Sequence, residues 1–277
     1  YRLFDPETSA SARIRTPYGP ADVTVGSFAD RSVAFLTRHG VDHSVAPHLI
    51  NYRANIDVMK RAGVTDLVSL SACGSFRSEL YPGLFVLPDQ YVDRTFRRET
   101  SFFGTGCVAH VSMAHPVSPA LQEQIMAAAA AESVTMQRGG TLVVMEGPQF
   151  STRAESLLYR QWGAHVIGMT AMPEAKLARE AEITYATVAM ITDYDGWHPE
   201  HDAVDVRAVL EVMGQNTQKA RRVIARLAAD FPEQREDCPA GSHRALDHAI
   251  MTAPSARDPA LLARLDAVAG RVLALGG

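Results

Sequence analysis

The stretch TYATVAMITDYDGW, residues 184–197, decides the fold. Seven uncharged residues, 185–191, form an apolar run with β-branched members, which is typical of a strand buried on both faces. The run leads into Asp193 and Asp195, whose spacing projects both carboxylates in the same general direction. Ligands of open α/β sheets bind at this end of a strand. An acidic turn that caps the next helix is the plainer alternative.

The composition is that of an ordinary globular protein. The chain has 277 residues, of which 47% are hydrophobic and 21% charged, and its net charge is -4. These values give no indication of a nucleic-acid-binding surface, and no apolar run reaches the roughly 18 residues that span a bilayer. The three cysteines, Cys73, Cys107 and Cys238, contain no C-x-x-C pair, so we expect reduced thiols and a cytoplasmic location.

Strands and helices are predicted to alternate along the chain. Periodicity and capping signals predict helices at 51–62, 119–132, 152–162, 174–181, 202–229 and 258–275. The helix at 152–162 begins with T-R-A-E (152–155), which matches a capping box. Apolar runs predict strands at 66–70, 84–87, 141–145, 165–167 and 185–191, after a hairpin made of 22–26 and 32–36. This order indicates an α/β fold, with residues 1–277 forming a single domain whose central mixed β-sheet is flanked by helices.

Other strand ends carry groups that suit an anion. Arg38 and His39 offer hydrogen-bond donors, and a guanidinium can hold a phosphate through two parallel bonds. Ser71 and Ala72 offer a hydroxyl and open backbone N–H groups. Thr170 precedes a helix, and a hydroxyl at a helix N-terminus suits an oxyanion. A tight turn and a simple helix cap are the plainer explanations of the last two, but their joint occurrence favours an anion site.

The sequence supports neither a metal nor a nucleotide cofactor. No G-x-S-x-G elbow, P-loop or G-x-G-x-x-G segment is present, so a serine hydrolase and the common nucleotide-binding enzymes are disfavoured. The histidines that invite a metal interpretation lack a recognised ligand spacing with a carboxylate. They are His39, His43, His48, His198 and His201. We therefore expect no metal and no cofactor.

Seven motifs are spread along the chain: RHG (38–40), HLINYRANI (48–56), SACGS (71–75), DQYVDRT (89–95), EGPQFSTRAES (146–156), GMTAMPEAKLARE (168–180) and TDYDGW (192–197). Together they resemble the motifs of the trimeric purine nucleoside phosphorylase family, and specifically of its 5′-methylthioadenosine phosphorylase branch. The resemblance covers roughly residues 16–225. Because so many separate motifs match in the family's order, the assignment is specific.

The resemblance implies phosphorolysis of 5′-methylthioadenosine to adenine and 5-methylthioribose 1-phosphate, a purine salvage reaction with inorganic phosphate as co-substrate. It also implies a homotrimer, because neighbouring subunits complete the site in this family. Two alternatives stay open: a phosphorylase of broader 6-amino or 6-oxopurine specificity, and a nucleoside-binding homologue without turnover.

The resemblance also assigns roles to individual residues. Five map onto the family's phosphate site: Arg38, His39, Ser71, Ala72 and Thr170. Met169 maps onto the ribose contact, and Phe150 maps onto the wall against the purine face. Asp193 would act as the general acid toward purine N7, and Asp195 would accept a hydrogen bond from the 6-amino group.

The methylthio end of the substrate maps onto Val206, Val209 and Leu210. These residues match the family's apolar pocket, and ordinary helix core is the alternative explanation for them. The family opens with a strand and a Gly-Gly-Ser/Thr-Gly loop that completes the phosphate site, and the printed sequence contains neither. Such a segment either precedes Tyr1 or is lacking, and its lack would weaken phosphate binding.

Overall fold

The computed structural model describes residues 9–28, 31–198, 206–234 and 236–273, and two β-sheets organise them. The strands of this part of the chain are β1 (Ser9–Thr16), β2 (Gly19–Phe28), β3 (Arg31–Phe35), β4 (Asp66–Ser75), β5 (Phe85–Leu87), β6 (Gln90–Arg94), β7 (Met136–Arg138), β8 (Thr141–Met145), β9 (Val166–Gly168) and β10 (Thr184–Asp193). The larger sheet has the order β6-β8-β9-β4-β10-β5-β7, and the smaller has the order β1-β2-β3.

The larger sheet is mixed, as predicted. The strand β10 runs parallel to β4 and antiparallel to β5, and β4 runs antiparallel to β9. Successive β10 side chains enter different clusters of the core, because side chains of a strand alternate between the two faces of the sheet. Tyr185, Ala189 and Ile191 belong to one cluster, and Ala186, Val188 and Met190 belong to the other. Burial on both faces explains the uninterrupted apolar run.

Helices cover both faces of this sheet. They are α1 (Tyr52–Arg61), α2 (Pro119–Ala131), α3 (Arg153–Gln161), α4 (Ala171–Glu180), α5 (Val206–Asp230), α6 (Pro259–Arg264) and α7 (Asp266–Leu273). Helices α1 and α4 pack in the cluster with Tyr185, whereas α2 and α5 pack in the cluster with Val188. The capping box predicted for α3 is present: the Thr152 hydroxyl accepts from Glu155 N–H, and the Glu155 carboxylate accepts from Thr152 N–H.

The structure corrects the boundaries of several predicted elements. Residues 71–75, predicted to follow a strand, lie inside β4, because these small residues let β10 and β9 approach closely. Residues 9–16, where no strand was predicted, form β1 through backbone pairing with β2, and their side chains are mostly exposed. The strands β6 and β7 were not predicted. They are short and carry no apolar run.

The predicted terminal helix 258–275 is two helices. Helix α6 ends at Arg264. The next residue, Leu265, is fully buried and its backbone departs from helical geometry, and α7 begins at Asp266. The change of direction brings Asp266 to the guanidinium of Arg61 on α1, which donates from both Nη atoms. The predicted starts and ends at 202–205 and 274–275 lie outside the described residues. Within the described ranges, no helix is long and apolar enough to cross a membrane.

Candidate functional site

A cavity of about 1160 Å³ runs along β4 and reaches the carboxyl end of β10. Every residue that the sequence analysis assigned to the site lines this one cavity. They are Arg38, His39, Ser71, Ala72, Phe150, Met169, Thr170, Asp193, Asp195, Val206, Val209 and Leu210. They come from segments as distant in sequence as the loop after β3 and the start of α5, and only the fold brings them together.

Two buried hydroxyls lie at the N-terminus of α4. The oxygen atoms of Ser71 on β4 and Thr170 before α4 are 3.0 Å apart and hydrogen-bonded to each other. Thr170 occupies the N-cap position, yet its side chain makes no capping hydrogen bond to the helix. Both hydroxyls can therefore rotate toward an anion.

The guanidinium of Arg38 lines the same cavity and is held by β4 and α4. It donates to Ser69 Oγ at 2.8 Å, to Glu174 Oε1 at 3.1 Å and to the Leu70 carbonyl. The side chain is only 14% exposed. Burial is the largest influence and lowers the pKa of Arg38, but the Glu174 carboxylate, together with the nearby Tyr185 and other groups, outweighs it, so the pKa is raised. Tyr185 OH donates to the same Glu174 oxygen at 2.9 Å, which fixes the carboxylate.

The imidazole of His39 has a defined tautomer. Its Nδ1 lies 2.8 Å from the Val45 carbonyl oxygen, and because a carbonyl only accepts, Nδ1 carries the hydrogen. The ring stacks on His43 with the ring centres 4.2 Å apart. Burial lowers the pKa of His39, and the positive charges of neighbouring groups act in the same direction, so the ring is neutral at physiological pH. The described residues hold no group of three or more His, Cys, Asp or Glu arranged for a metal ion.

The two carboxylates at the end of β10 differ in their surroundings. Asp193 accepts hydrogen bonds from Thr192 Oγ1 at 2.7 Å and from Asp195 N–H at 2.9 Å, and it is partly exposed. Asp195 is 3% exposed and accepts a short hydrogen bond from the Ser156 hydroxyl of α3. Burial raises the pKa of Asp195 to about 6, and the negative charge of Asp193 adds to the effect.

Two glycines permit the close approaches that this site requires. A Cβ at Gly74 would lie 3.0 Å from an Asp193 carboxylate oxygen, so a side chain there would push the carboxylate away from β4. Gly147 has a φ of +65°, and a Cβ there would lie 2.6 Å from the Met169 sulfur. The turn after β8 therefore needs glycine both for its left-handed backbone and for the position of Met169.

Apolar side chains surround the open end of the cavity. Phe150 is 45% exposed, and Val206 and Leu210, on the first turns of α5, are 57% and 65% exposed. The alternative that these α5 residues are ordinary helix core is wrong for Val206 and Leu210, because both face open space that joins the cavity.

Comparison with known proteins agrees with this arrangement. A profile of the family described as "Phosphorylase superfamily" matches residues 6–229. This chain belongs to the phosphorylase superfamily. It is 63% identical over 262 residues to an S-methyl-5'-thioadenosine phosphorylase of Bradyrhizobium diazoefficiens, covering 94% of this chain and 90% of that protein. It is 58% identical over 275 residues to the protein of that name from Cereibacter sphaeroides, covering 99% and 95%.

Solved structures show the same fold. A methylthioadenosine phosphorylase from an antarctic soil metagenomic library superposes with a TM-score of 0.89 at 43% identity, covering 94% of this phosphorylase and 92% of that chain. A methylthioadenosine phosphorylase from Schistosoma mansoni, solved in complex with adenine, superposes with a TM-score of 0.81 at 31% identity, covering 84% and 88%. The α/β fold with a mixed sheet is thus confirmed for this phosphorylase.

Several residues that hold the site were not predicted. Ser69 and Glu174 hold Arg38, Ser156 holds Asp195, and Thr192 holds Asp193. Each lies within or next to a quoted motif, so the motifs marked the segments but not the contacts between them. The expected opening strand and Gly-rich loop concern the start of the chain, outside the described residues.

The raised pKa of the buried Asp195 carboxyl predicts how the stability of the protein depends on pH. Its pKa is higher in the folded chain than in the unfolded chain, so its protonation favours folding at low pH, and that stabilisation is lost as the pH rises through about 6. Asp195→Asn does not titrate and keeps an acceptor for Ser156. The free energy of unfolding of the variant minus that of the native chain should therefore increase by about 1 to 2 kcal/mol as the pH rises from about pH 5 to about pH 7.5. Urea denaturation at each pH measures this difference.

The control for this measurement is Asp22→Asn, which alters an exposed carboxylate of β2 away from the cavity. Its stability relative to the native chain should stay constant over the same pH range. A constant difference for Asp195→Asn as well would show that Asp195 titrates alike in the folded and unfolded chains.

Proposed function

We propose that this phosphorylase cleaves 5′-methylthioadenosine with inorganic phosphate, releasing adenine and 5-methylthioribose 1-phosphate. One observation carries the proposal: groups that suit an anion and a pair of carboxylates line the same cavity, which is apolar at its open end. The relatives that bear the methylthioadenosine name cover nearly the whole chain at high identity, which supports the same substrate.

The reaction needs two kinds of assistance. A phosphate oxygen attacks C1′ of the ribosyl group as the bond from C1′ to N9 breaks, and the electron pair of that bond moves into the purine. The phosphate must be held close to C1′, and the departing purine must receive a proton at N7. Positive charge develops on the ribosyl group between them, so the phosphate dianion also stabilises the transition state electrostatically.

Phosphate binds between β4 and α4 in this proposal. Hydrogen bonds to the phosphate come from the hydroxyls of Ser71 and Thr170, the backbone N–H of Ala72 and the guanidinium of Arg38. His39 completes the phosphate subsite. Glu174 already holds Arg38 in place, so little reorganisation is needed when the anion arrives. Met169 contacts the ribose, and the ring of Phe150 packs on the purine face.

The carboxylate pair recognises the base. Asp193 delivers the proton to N7. Burial raises the pKa of Asp195 to about 6, so above that pH its carboxylate is ionised and accepts a hydrogen bond from the 6-amino group. An acceptor at this position discriminates against a 6-oxopurine, whose oxygen is also an acceptor. Val206, Val209 and Leu210 receive the methylthio group, which has no hydrogen-bonding requirement.

Further features of the proposal come from the resemblance. We propose a cytoplasmic single-domain homotrimer in purine salvage that needs no metal or cofactor besides its phosphate co-substrate. Large apolar side chains are exposed on the surface, and an assembly that covered them would remove apolar area from water. They include Val41, Leu49, Phe96 and Met251, which are 85%, 67%, 78% and 67% exposed. All three cysteines are free, in agreement with a reducing compartment.

The direct test is a turnover assay with methylthioadenosine, adenosine and inosine, each with and without phosphate. The proposal expects release of adenine from methylthioadenosine only when phosphate is present, with less turnover of adenosine and least of inosine. Comparable turnover of all three would support the broader purine specificity. Binding without turnover of any of them would support the nucleoside-binding alternative.

Base recognition is tested with Asp193→Asn. An amide can donate to O6 or N7 but cannot transfer a proton, so turnover of methylthioadenosine should fall by about 100-fold or more, while 6-oxopurine nucleosides are relatively favoured. The quantity to measure is the ratio of kcat/KM for 6-amino and 6-oxo substrates, with Asp22→Asn as the control. An unchanged ratio would remove Asp193 from base recognition.

A further inference from the structure

The side chain of Arg98 joins the loops on both sides of the cavity. It belongs to the long loop after β6 and is 1% exposed, so its charge is completely removed from water. Its Nη1 atom donates to the Met169 carbonyl at 2.7 Å and to the Met172 carbonyl at 2.6 Å. Its Nη2 atom donates to the Glu146 carbonyl at 2.6 Å and to the Met145 carbonyl at 3.3 Å.

We propose that Arg98 is a positioning residue that sets the geometry of the phosphate and nucleoside subsites together. This inference rests on the proposed function. The two pairs of carbonyls belong to different walls of the site. Met145 and Glu146 lead from β8 into the turn that carries Phe150, whereas Met169 and Met172 lie on either side of Thr170. The planar guanidinium of Arg98 therefore fixes the distance between the turn that carries Phe150 and the segment that carries Thr170.

The loop that carries Arg98 is itself held on both sides of that residue. Phe96 N–H donates to Glu146 Oε2 at 2.9 Å, and the same carboxylate oxygen lies 3.5 Å from Arg98 Nε. Farther along, the Ser101 hydroxyl and the Phe102 N–H donate to the buried Glu180 carboxylate, each at 2.7 Å. The backbone that carries the guanidinium is therefore held in place, and the Glu146 carboxylate balances the positive charge of Arg98.

Chemistry explains why an arginine occupies this place. Four carbonyl oxygens converge from two directions, and the Tyr52 hydroxyl lies 3.0 Å from Nη1 as a further partner. A guanidinium offers several N–H groups in one rigid plane, so it can serve both loops at once. An ammonium offers three donors from a single point on a flexible stem, so it cannot hold both loops at the same separation.

The chain offers a matched control in Arg179. This arginine is also buried, and it donates to the main-chain carbonyls of Ala240 and His115. It lies near the C-terminal end of α4, and neither of its carbonyl partners lines the cavity. Arg179→Lys therefore imposes the same chemical change on a buried arginine with main-chain partners, but away from the site.

The experiment compares Arg98→Lys and Arg179→Lys with the native chain in kcat, in KM for phosphate, in KM for methylthioadenosine and in thermal unfolding midpoint. Arg98→Lys should raise both KM values and lower kcat, so that kcat/KM falls by about 100-fold, because small misplacements of reacting groups have effects of that size. Arg179→Lys should lower the unfolding midpoint with both KM values unchanged. Phosphate affinity by calorimetry should follow the same pattern.

A second variant separates positioning from simple destabilisation. Arg98→Ala should be rescued several-fold by millimolar guanidinium, which can occupy the vacated position, and guanidinium should not stimulate Arg179→Ala or the native chain. Unchanged KM values and phosphate affinity in Arg98→Lys would overturn the role of Arg98. If Arg179→Lys changed both KM values as much as Arg98→Lys does, that result would also overturn the role of Arg98. Failure of the proposed function gives a different result, the absence of turnover in the native chain, and calorimetry with phosphate then still decides the role of Arg98.

Discussion

The parallel pairing of β4 with β10 is the interaction on which the rest of the site depends. Its register sets Ser71 opposite Ala189 and Gly74 opposite Asp193. The hydroxyl that contacts Thr170 and the carboxylates that end β10 therefore open into the same cavity. A shift of one residue would turn the side chains of β10 to the opposite faces of the sheet, and the apolar packing of both faces forbids that shift.

Buried charges are the second feature of this molecule, and each is held by partners from a different segment. Arg38 has Glu174, Asp195 has the Ser156 hydroxyl, and Arg98 has a set of main-chain carbonyls. Such groups are costly to bury, and removing one partner leaves the other without compensation. The benefit is a site whose geometry is set in advance, because polar groups that are already ordered need not be rearranged when the substrates bind.

The sequence predicts those parts of the structure that depend on local signals. The apolar run of β10 and the capping box of α3 were found in this way, because burial on two faces and a Thr-x-x-Glu pattern are visible in consecutive residues. The site residues were assigned through the family resemblance, and all of them line the one cavity. Their individual roles, like the single-domain prediction for residues 1–277, stay predictions.

Other features could not be predicted because they arise only from the fold. The strand β1 has no apolar alternation and depends on its pairing with β2. The contact of Arg98 with Met169 joins residues 71 positions apart, and that of Arg38 with Glu174 joins residues 136 apart. No local pattern distinguishes such an arginine from an exposed one. Supporting residues of a site are therefore the part that a single sequence reveals least.

The position of bound phosphate tests the proposed site most directly. Crystals grown with phosphate should show one tetrahedral anion within about 2.7–3.2 Å of polar atoms of Arg38, Ser71 and Thr170, three residues from distant segments that only this fold gathers. An anion bound elsewhere, more than about 10 Å from all three side chains, would contradict the proposed site, because charges at that separation are largely screened.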